Sequence, residues 1–129
     1  MDCLVIVDAA NVVGSVPDGW WRDRHGAAER LRDTLPPYAA GGLPGLAAPP
    51  LELVLVVEGA ARGVTSVEDV RVEPADGSGD DRIVELVAAE GQGRDCLVIT
   101  ADRGLRARVE ALGARVAGPR TVRGGSGTA

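Results

Sequence analysis

The sequence predicts an α/β fold with a mainly parallel sheet and helices on both of its faces. Short apolar runs rich in β-branched residues alternate with segments whose apolar residues recur at helical spacing. Strands that alternate with helices are joined by right-handed crossovers, which make the strands parallel. The chain has 129 residues, enough for one domain with a single core. We therefore expect one domain over residues 1–118 and a flexible tail over residues 119–129.

Five segments have the character of strands. Residues 3–7 form a continuous apolar run that is too short for an independent helix, which indicates a buried strand. Residues 53–57 and 97–100 have the same character. Residues 70–72 alternate valine with a polar neighbour, so we expect a shorter strand nearer an edge. Residues 115–117 are the candidate for a last short strand.

The segments between these runs have the period of helices. The apolar positions fall at Ala28, Leu31 and Leu35, at Ile83, Leu86 and Val87, and at Leu105, Val109 and Leu112. Gly91 and Gly113 stand where the second and third of these helices are expected to end. Residues 36–50 are rich in proline, glycine and alanine and show neither period, so we expect a linker there.

Acidic residues stand where the predicted strands end. They are Asp8, Glu58, Asp80, Asp81 and Asp102. Asp8 and Asp102 each follow a copy of the same pentapeptide, DCLVI. Each acid alone has a simpler explanation, because aspartate is a favoured N-cap and acidic side chains stabilise helix N-termini. Together they predict a shared pocket, because the carboxyl ends of parallel strands meet at the edge of the sheet where ligands bind.

Such a pocket favours a hard divalent cation. Two carboxylates ~5 Å apart repel each other by roughly 3 kcal/mol at an effective dielectric constant near 20, and a cation offsets that repulsion. The chain has two cysteines and one histidine, which nearly excludes a structural zinc site. Oxygen ligands alone point to Mg²⁺ or Mn²⁺. The net charge of −5 argues against a protein that grips nucleic acid through overall charge, but it permits a local basic rim.

Three motifs hold these acids, and they are "VDAANV", "GDDRIVELVA" and "VITADRGLR". In this order, over a span from residue 3 to about residue 117, they resemble the NYN branch of the PIN-like, metal-dependent nuclease superfamily. The resemblance implies a three-layer α/β/α sandwich, PIN-like or Rossmann-like, whose five-stranded sheet has the strand order 3-2-1-4-5. It also implies a metal-dependent nuclease whose cofactor is Mg²⁺ or Mn²⁺ and whose partner is nucleic acid, RNA rather than DNA.

The resemblance also implies roles for individual residues. The catalytic acids are Asp8, Asp81 and Asp102, and the metal ligands are these three together with Asp80. The supporting residues are Asn11, Glu58 and Thr100. Some relatives carry a further acid one turn into the last helix, where this chain has Arg106. The resemblance therefore does not supply a full ligand set for a second metal ion.

Basic and aromatic residues near the acids are candidates for substrate binding. Arg82, Arg103 and Arg106 are candidates for binding phosphates, although each arginine alone is better explained as a solvated helix residue or a surface ion pair. Trp20 is a candidate for stacking a base of a single strand. Because the chain has no phenylalanine, we expect one of the adjacent residues Trp20 and Trp21 to pack in the core and the other to be partly exposed.

Three functions remain open from the sequence. The first is a divalent-metal-dependent nuclease, in particular a ribonuclease, that hydrolyses phosphodiester bonds. The second is a hydrolase of small nucleotides or other phosphoesters, and the third is a catalytically degenerate NYN domain that binds RNA or a protein. No stretch approaches the roughly 20 apolar residues of a membrane span, and the first residues lack the basic segment of a signal peptide. We therefore expect a cytoplasmic protein without a membrane partner, either monomeric or homodimeric.

Overall fold

The structure, a computed structural model, describes residues 2–123 and contains a five-stranded parallel sheet. Its strands are β1 (Cys3–Asp8), β2 (Leu51–Val57), β3 (Val70–Pro74), β4 (Cys96–Ile99) and β5 (Arg115–Ala117). Their order across the sheet is β3-β2-β1-β4-β5, and every neighbouring pair is parallel. The predicted fold class and strand order are confirmed, as is the edge position of the strand that begins at Val70.

The central strand, β1, is buried on both faces. Residues 4–7 are all fully inaccessible to solvent, as expected for a continuous apolar run inside a parallel sheet. β1 pairs with β4 in a register that sets Leu4 opposite Cys96 and Val7 opposite Ile99. The two DCLVI copies therefore lie side by side at the centre of the sheet, and the residues that follow them emerge at the same edge.

Helices cover both faces of the sheet. They are α1 (Ala9–Gly14), α2 (Arg24–Thr34), α3 (Pro36–Gly41), α4 (Gly79–Glu90), α5 (Arg103–Glu110) and α6 (Arg120–Arg123). Val5 and Val7 of β1 belong to the core that contains residues of α1 and α2, whereas Leu4 and Ile6 belong to the core formed with α4 and α5. This alternation along one strand produces the three-layer sandwich. In the described part of the chain, no helix combines the length and apolar character needed to cross a membrane.

The segment 36–50 differs from the predicted structureless linker. Pro36 occupies the first turn of α3, where its missing N–H group costs nothing. Leu43 and Ala47 form an isolated antiparallel bridge, and both side chains are buried. The proline and glycine content indicated a linker, but the segment forms a short helix and a turn that pack onto the core through a few apolar residues.

A short helix lies beyond residue 118, the expected end of the domain. Residues 120–123 form α6, and Val122 is only 4% exposed because it packs into the core on the side of α1 and α2. These residues belong to the segment 119–129 that we expect to be a flexible tail. Its remainder, residues 124–129, lies outside the described residues.

Candidate functional site

Asp8 is a buried carboxylate fixed from two sides. It ends β1 and caps α1, where its Oδ1 accepts a hydrogen bond of 3.4 Å from the backbone N–H of Asn11. Its Oδ2 accepts a hydrogen bond of 2.9 Å from the hydroxyl of Thr100. Burial raises the pKa of Asp8 from 3.8 to about 6, partly opposed by these two hydrogen bonds and further favoured by the negative charges of Asp80 and Glu58. Asp8 is therefore held in place and carries its charge at an energetic cost.

Thr100 connects the ends of β1 and β4. Its hydroxyl oxygen donates to Asp8 and accepts a hydrogen bond of 3.1 Å from the N–H of Asp102, which caps α5. A second link runs in parallel, because Oδ1 of Asn11 accepts a hydrogen bond of 2.8 Å from the N–H of Ala101. These bonds hold the loop after β4 against the first turn of α1. The supporting positions assigned to Asn11 and Thr100 thus both lie in contact with the acids or their loops.

Glu58 reaches from the end of β2 to the start of α4. Its Oε2 accepts a hydrogen bond of 2.9 Å from the N–H of Gly79, the first residue of α4. A Cβ atom at Gly79 would lie only 3.2 Å from Oε1 of Glu58. Glycine thus permits the close approach of this carboxylate to the N-terminus of α4, where negative charge is favourable.

Asp80 is the acid of α4 that joins this group electrostatically. Burial raises its pKa, and the charges of Asp102 and Glu58 raise it further, with a smaller effect from Asp81. Arg108 of α5 acts in the opposite direction and lowers the pKa of Asp80. The charge of Asp80 is also felt at Asp8, as described above. We call Asp8, Glu58, Asp80 and Asp102 the acidic cluster.

Asp81 is the more exposed aspartate of α4 and pairs with Arg108. Its backbone N–H donates to the capping hydroxyl of Ser78 at 3.2 Å, and its side chain is 69% exposed. Its Oδ1 accepts a hydrogen bond of 3.0 Å from Arg108. The resemblance assigned Asp81 the leading role and Asp80 a secondary one. Asp80 is the acid of α4 whose charge raises the pKa of Asp8, and its own pKa is raised by the charge of Asp102.

The three arginines predicted to bind phosphate lie in different environments. Arg82 forms an ion pair with Glu73 at 2.5 Å, and Arg106 donates its Nε–H to the backbone oxygen of Thr100 at 2.8 Å. These two contacts tie both side chains to the protein. Arg103 is exposed in the first turn of α5, directly after Asp102. It is therefore the arginine of the three that is most open to solvent beside the acidic cluster.

The two tryptophans differ as expected. Trp20 is partly buried and packs against the core, whereas Trp21 is 50% exposed. The guanidinium carbon of Arg24 lies 5.3 Å from the centre of the Trp20 ring, a distance at which a cation is attracted by the aromatic face. Trp20 also lines a cavity that Glu58 of the acidic cluster borders. The predicted aromatic residue thus shares a cavity with one acid of the cluster, Glu58.

The ligand chemistry of the cluster fits a hydrated hard cation better than a closed protein cage. Within residues 2–123, no three side chains of His, Cys, Asp or Glu are arranged to hold a metal ion between them. Oxygens of Asp8, Glu58 and Asp102 already accept hydrogen bonds from the protein, although a carboxylate oxygen accepts more than one. Mg²⁺ commonly binds through one or two carboxylates and keeps several waters.

The fold matches two crystal structures of Rae1 (YacP) from Bacillus subtilis. One match has 21% identity and a TM-score of 0.71, and covers 99% of this chain and 75% of Rae1. The other, to a tryptophan-to-leucine variant, has 19% identity and a TM-score of 0.70, and covers 97% of this chain and 74% of the variant. At this identity, the likeness shows a shared fold alone. Neither the protein-family models nor the curated proteins match this sequence.

Two residues of the site were not singled out from the sequence. Gly79 follows a capping serine and precedes paired acids, which indicates a helix start, but nothing in this pattern indicates the contact with Glu58. Arg108 carries no signal in the sequence, because its position beside Asp80 and Asp81 depends on how α4 and α5 pack together. Tertiary packing thus supplies the cation that partly compensates the acidic cluster.

Proposed function

We propose that this protein is a nuclease that depends on a divalent cation and hydrolyses phosphodiester bonds, and that it prefers RNA to DNA. The observation that carries the proposal is the convergence of the acidic cluster at the edge of the sheet where α/β folds bind ligands. Burial raises the pKa of both Asp8 and Asp80, and the negative charges of neighbouring acids raise it further. Titratable groups perturbed by burial and by specific charges are frequent at functional sites.

The cluster is unfavourable for the protein alone. Asp8 has a pKa of about 6, so near neutral pH it is mostly ionised although it is buried. Arg108 compensates Asp80 only in part, because the pKa of Asp80 remains raised. A divalent cation bound here would relieve the repulsion and favour the ionised carboxylates. Mg²⁺ and Mn²⁺ suit the oxygen-only set of side chains.

The residues of the cluster have separable tasks in this proposal. When bound, the cation supplies Lewis-acid activation of water and neutralises charge that develops on the phosphate. Thr100 fixes Asp8 and the backbone of Asp102, so that two carboxylates lie at the ends of two neighbouring strands. Asp80 adds a third carboxylate from α4. Arg103, exposed beside Asp102, is the candidate for binding a phosphate next to the one that reacts.

The motifs that resemble the NYN branch support the same function. Their acids include Asp8, Asp80 and Asp102, which are the residues that interact in the folded chain. A second candidate is a domain that binds RNA without cleaving it, which requires no metal ligands. Within the described residues, no three acidic, histidine or cysteine side chains form a preformed metal cage.

The test is cleavage of labelled single-stranded RNA by protein that has been stripped of metal and then supplied with Mn²⁺ or Mg²⁺. We expect cleavage that requires the metal, and a loss of roughly 100-fold or more in the Asp8→Asn and Asp80→Asn variants. Asp76→Asn is the matched control, since Asp76 is an exposed acid in the loop before α4. DNA of the same sequence tests the preference for RNA.

The other outcomes separate the alternatives. Binding of RNA without cleavage at any metal concentration would replace the nuclease by the binding domain. Release of inorganic phosphate from mononucleotides, without fragments from RNA, would replace it by a small-nucleotide hydrolase. Equal activity in the wild type and the Asp8→Asn variant would remove the acidic cluster from the reaction.

A further inference from the structure

A cavity of about 310 Å³ lies beside the acidic cluster. Trp20 forms one wall, and small residues of α1, α2 and the turn after β2 form the others. We call it the indole pocket, and its lining includes Ala9, Ala10, Trp20, Arg24 and Glu58. Its size is at the lower end of small-ligand sites, which are mainly apolar with a few polar groups.

The indole pocket is contiguous with the proposed site of cleavage. Ala9 and Ala10 follow Asp8 directly in the chain, and Glu58 belongs to both the cluster and the pocket. The Oε2 atom of Glu58 is held by Gly79 at 2.9 Å, so the carboxylate has a fixed position between the two. A ligand in the pocket is therefore a close neighbour of any phosphate bound at the acids.

The chemistry of the walls matches a flat aromatic ligand with polar edges. Trp20 offers an indole, and the alanines leave the space beside it open because their side chains are short. Glu58 is an acceptor for the N–H groups that nucleobases carry on their edges. Arg24, which is exposed and lies over the indole, places positive charge at the same rim, where a nucleotide has its phosphate.

We propose that the indole pocket binds one nucleobase of a single-stranded substrate, next to the phosphate that the acidic cluster receives. This inference rests on the proposed function, because it identifies the substrate as a strand with an unpaired base at the site. Stacking on an aromatic side chain tolerates different bases, since each of them has a π-face. The pocket therefore selects for single strands over duplexes, in which the bases are already stacked and paired.

The test uses the fluorescence of Trp20 to report binding in the indole pocket. Trp20 and Trp21 are the two tryptophans of the chain, so a Trp21→Phe variant emits from Trp20 alone. The metal-free variant is titrated with the four nucleoside 5′-monophosphates, and with ribose 5-phosphate as the control that lacks a base. We expect saturable quenching by the nucleotides and none by ribose 5-phosphate. Absence of quenching by every nucleotide, or equal quenching by ribose 5-phosphate, would overturn the assignment.

A second variant tests the cavity itself. Ala10 is exposed at the pocket, so Ala10→Leu, made in the Trp21→Phe background, fills the space without disturbing the core. We expect nucleotide affinity to fall roughly 5- to 150-fold, the range that stacking of one base contributes. Ala88→Leu, at an exposed position on α4 away from the pocket, is the matched control and should bind as before. Unchanged affinity in Ala10→Leu would overturn the assignment.

The two proposals fail in different ways. Quenching that depends on Ala10, in a protein that never cleaves RNA, would keep the indole pocket and remove the nuclease. Metal-dependent cleavage without quenching, and with unchanged KM in Ala10→Leu, would keep the nuclease and remove the pocket.

Discussion

The hydroxyl of Thr100 donates a hydrogen bond of 2.9 Å to the carboxylate of Asp8, and both side chains are buried. The same hydroxyl oxygen accepts a hydrogen bond from the N–H of Asp102. One side chain therefore positions the acids at the ends of two neighbouring strands. This arrangement follows from the register of β1 and β4, in which Val7 lies opposite Ile99, so that Asp8 and Thr100 come next.

Replacing Thr100 by valine keeps the shape of the side chain but removes both hydrogen bonds. A hydrogen bond to a charged group contributes about 1.5–3 kcal/mol, so we expect the Thr100→Val variant to be destabilised by about 2 kcal/mol at pH 8. The loss should be smaller at pH 5, because the pKa of Asp8 is about 6 and its carboxylate is then largely protonated in the folded protein. Urea unfolding at both pH values measures the difference.

The control for this variant is Thr100→Ser, which retains the hydroxyl and loses only a methyl group. It should recover most of the lost stability at pH 8. If the serine and valine variants are destabilised equally, packing rather than the hydrogen bond to Asp8 accounts for the effect. A loss that does not change between pH 5 and pH 8 would point the same way.

The Asp8→Asn variant should differ from the wild type in its pH dependence. The pKa of Asp8 is raised from 3.8 to about 6 on folding, so the folded protein retains a proton that the unfolded chain releases in this interval. The stability that this proton confers is fully present below pH 4 and is lost as the pH rises through 6. We expect the wild type to lose on the order of 2–3 kcal/mol between pH 4 and pH 8 relative to the variant, measured by denaturant unfolding.

Mn²⁺ should stabilise the wild type at pH 8 but not the Asp8→Asn variant. A ligand present at 100 times its dissociation constant stabilises a folded protein by about 2.7 kcal/mol. We expect millimolar Mn²⁺ to raise the melting temperature of the wild type and to leave that of the Asp8→Asn variant unchanged. An identical response of both proteins to the metal would separate Asp8 from metal binding.

The sheet and two of the acids were predictable because they depend on local pattern. A continuous apolar run followed by aspartate marks the end of a buried parallel strand, which located Asp8 and Asp102. The orientation of α4 was also encoded in the sequence. Ile83 and Val87 lie three and seven residues after Asp80, so Asp80 shares their inward-facing side of the helix. The family motif contains both Asp80 and Asp81 and does not indicate which of the two faces inward.

Other features depended on contacts between distant segments. The bond between Glu58 and Gly79 requires the turn after β2 to meet the start of α4. The position of Arg108 requires a particular packing of α4 against α5. Neither periodicity nor composition carries this information. The segment 36–50 was misjudged because its few apolar anchors, such as Leu43, are separated by residues typical of linkers.

Gly79→Ala should displace the carboxylate of Glu58. The new Cβ would lie 3.2 Å from Oε1 and 3.3 Å from Cδ of Glu58, so the side chain must move by a few tenths of an ångström, which weakens its hydrogen bond with the N–H of residue 79. This weakening costs part of the roughly 1.5–3 kcal/mol that such a bond contributes, and the reduced entropy of the unfolded chain offsets about 0.4–1 kcal/mol of it. We expect a net destabilisation of up to about 1 kcal/mol by urea unfolding.

Gly77→Ala is the control, since a Cβ at Gly77 meets nothing within 4 Å. It should be neutral or slightly stabilising. A stable Gly79→Ala variant with unchanged RNA cleavage would show that the position of Glu58 matters neither to folding nor to function.

The two acids at the start of α4 provide a matched pair. Asp80 interacts with Asp8 and Asp102, whereas Asp81 is 69% exposed and bound to Arg108. We therefore expect Asp80→Asn to abolish both the Mn²⁺-dependent rise in melting temperature and RNA cleavage. Asp81→Asn should retain most of the Mn²⁺-dependent rise in melting temperature and should change RNA cleavage by only a few-fold. The reverse ranking, with Asp81→Asn the more damaging, would mean that α4 rotates or its side chains rearrange when the metal binds.

Arg108 competes with the proposed metal ion for the charge of Asp80. Its charge lowers the pKa of Asp80, so Arg108→Gln should raise that pKa, as measured by carboxylate NMR titration. The ion pair with Asp81 is 47% and 69% exposed, and such pairs contribute about 0–1 kcal/mol, so stability should change little. Without this cation the cluster is more negative, and Mn²⁺ should bind more tightly. Arg103→Gln, at an exposed position on the same helix, should change the pKa of Asp80 less, and an equal shift in both variants would refute a specific role for Arg108.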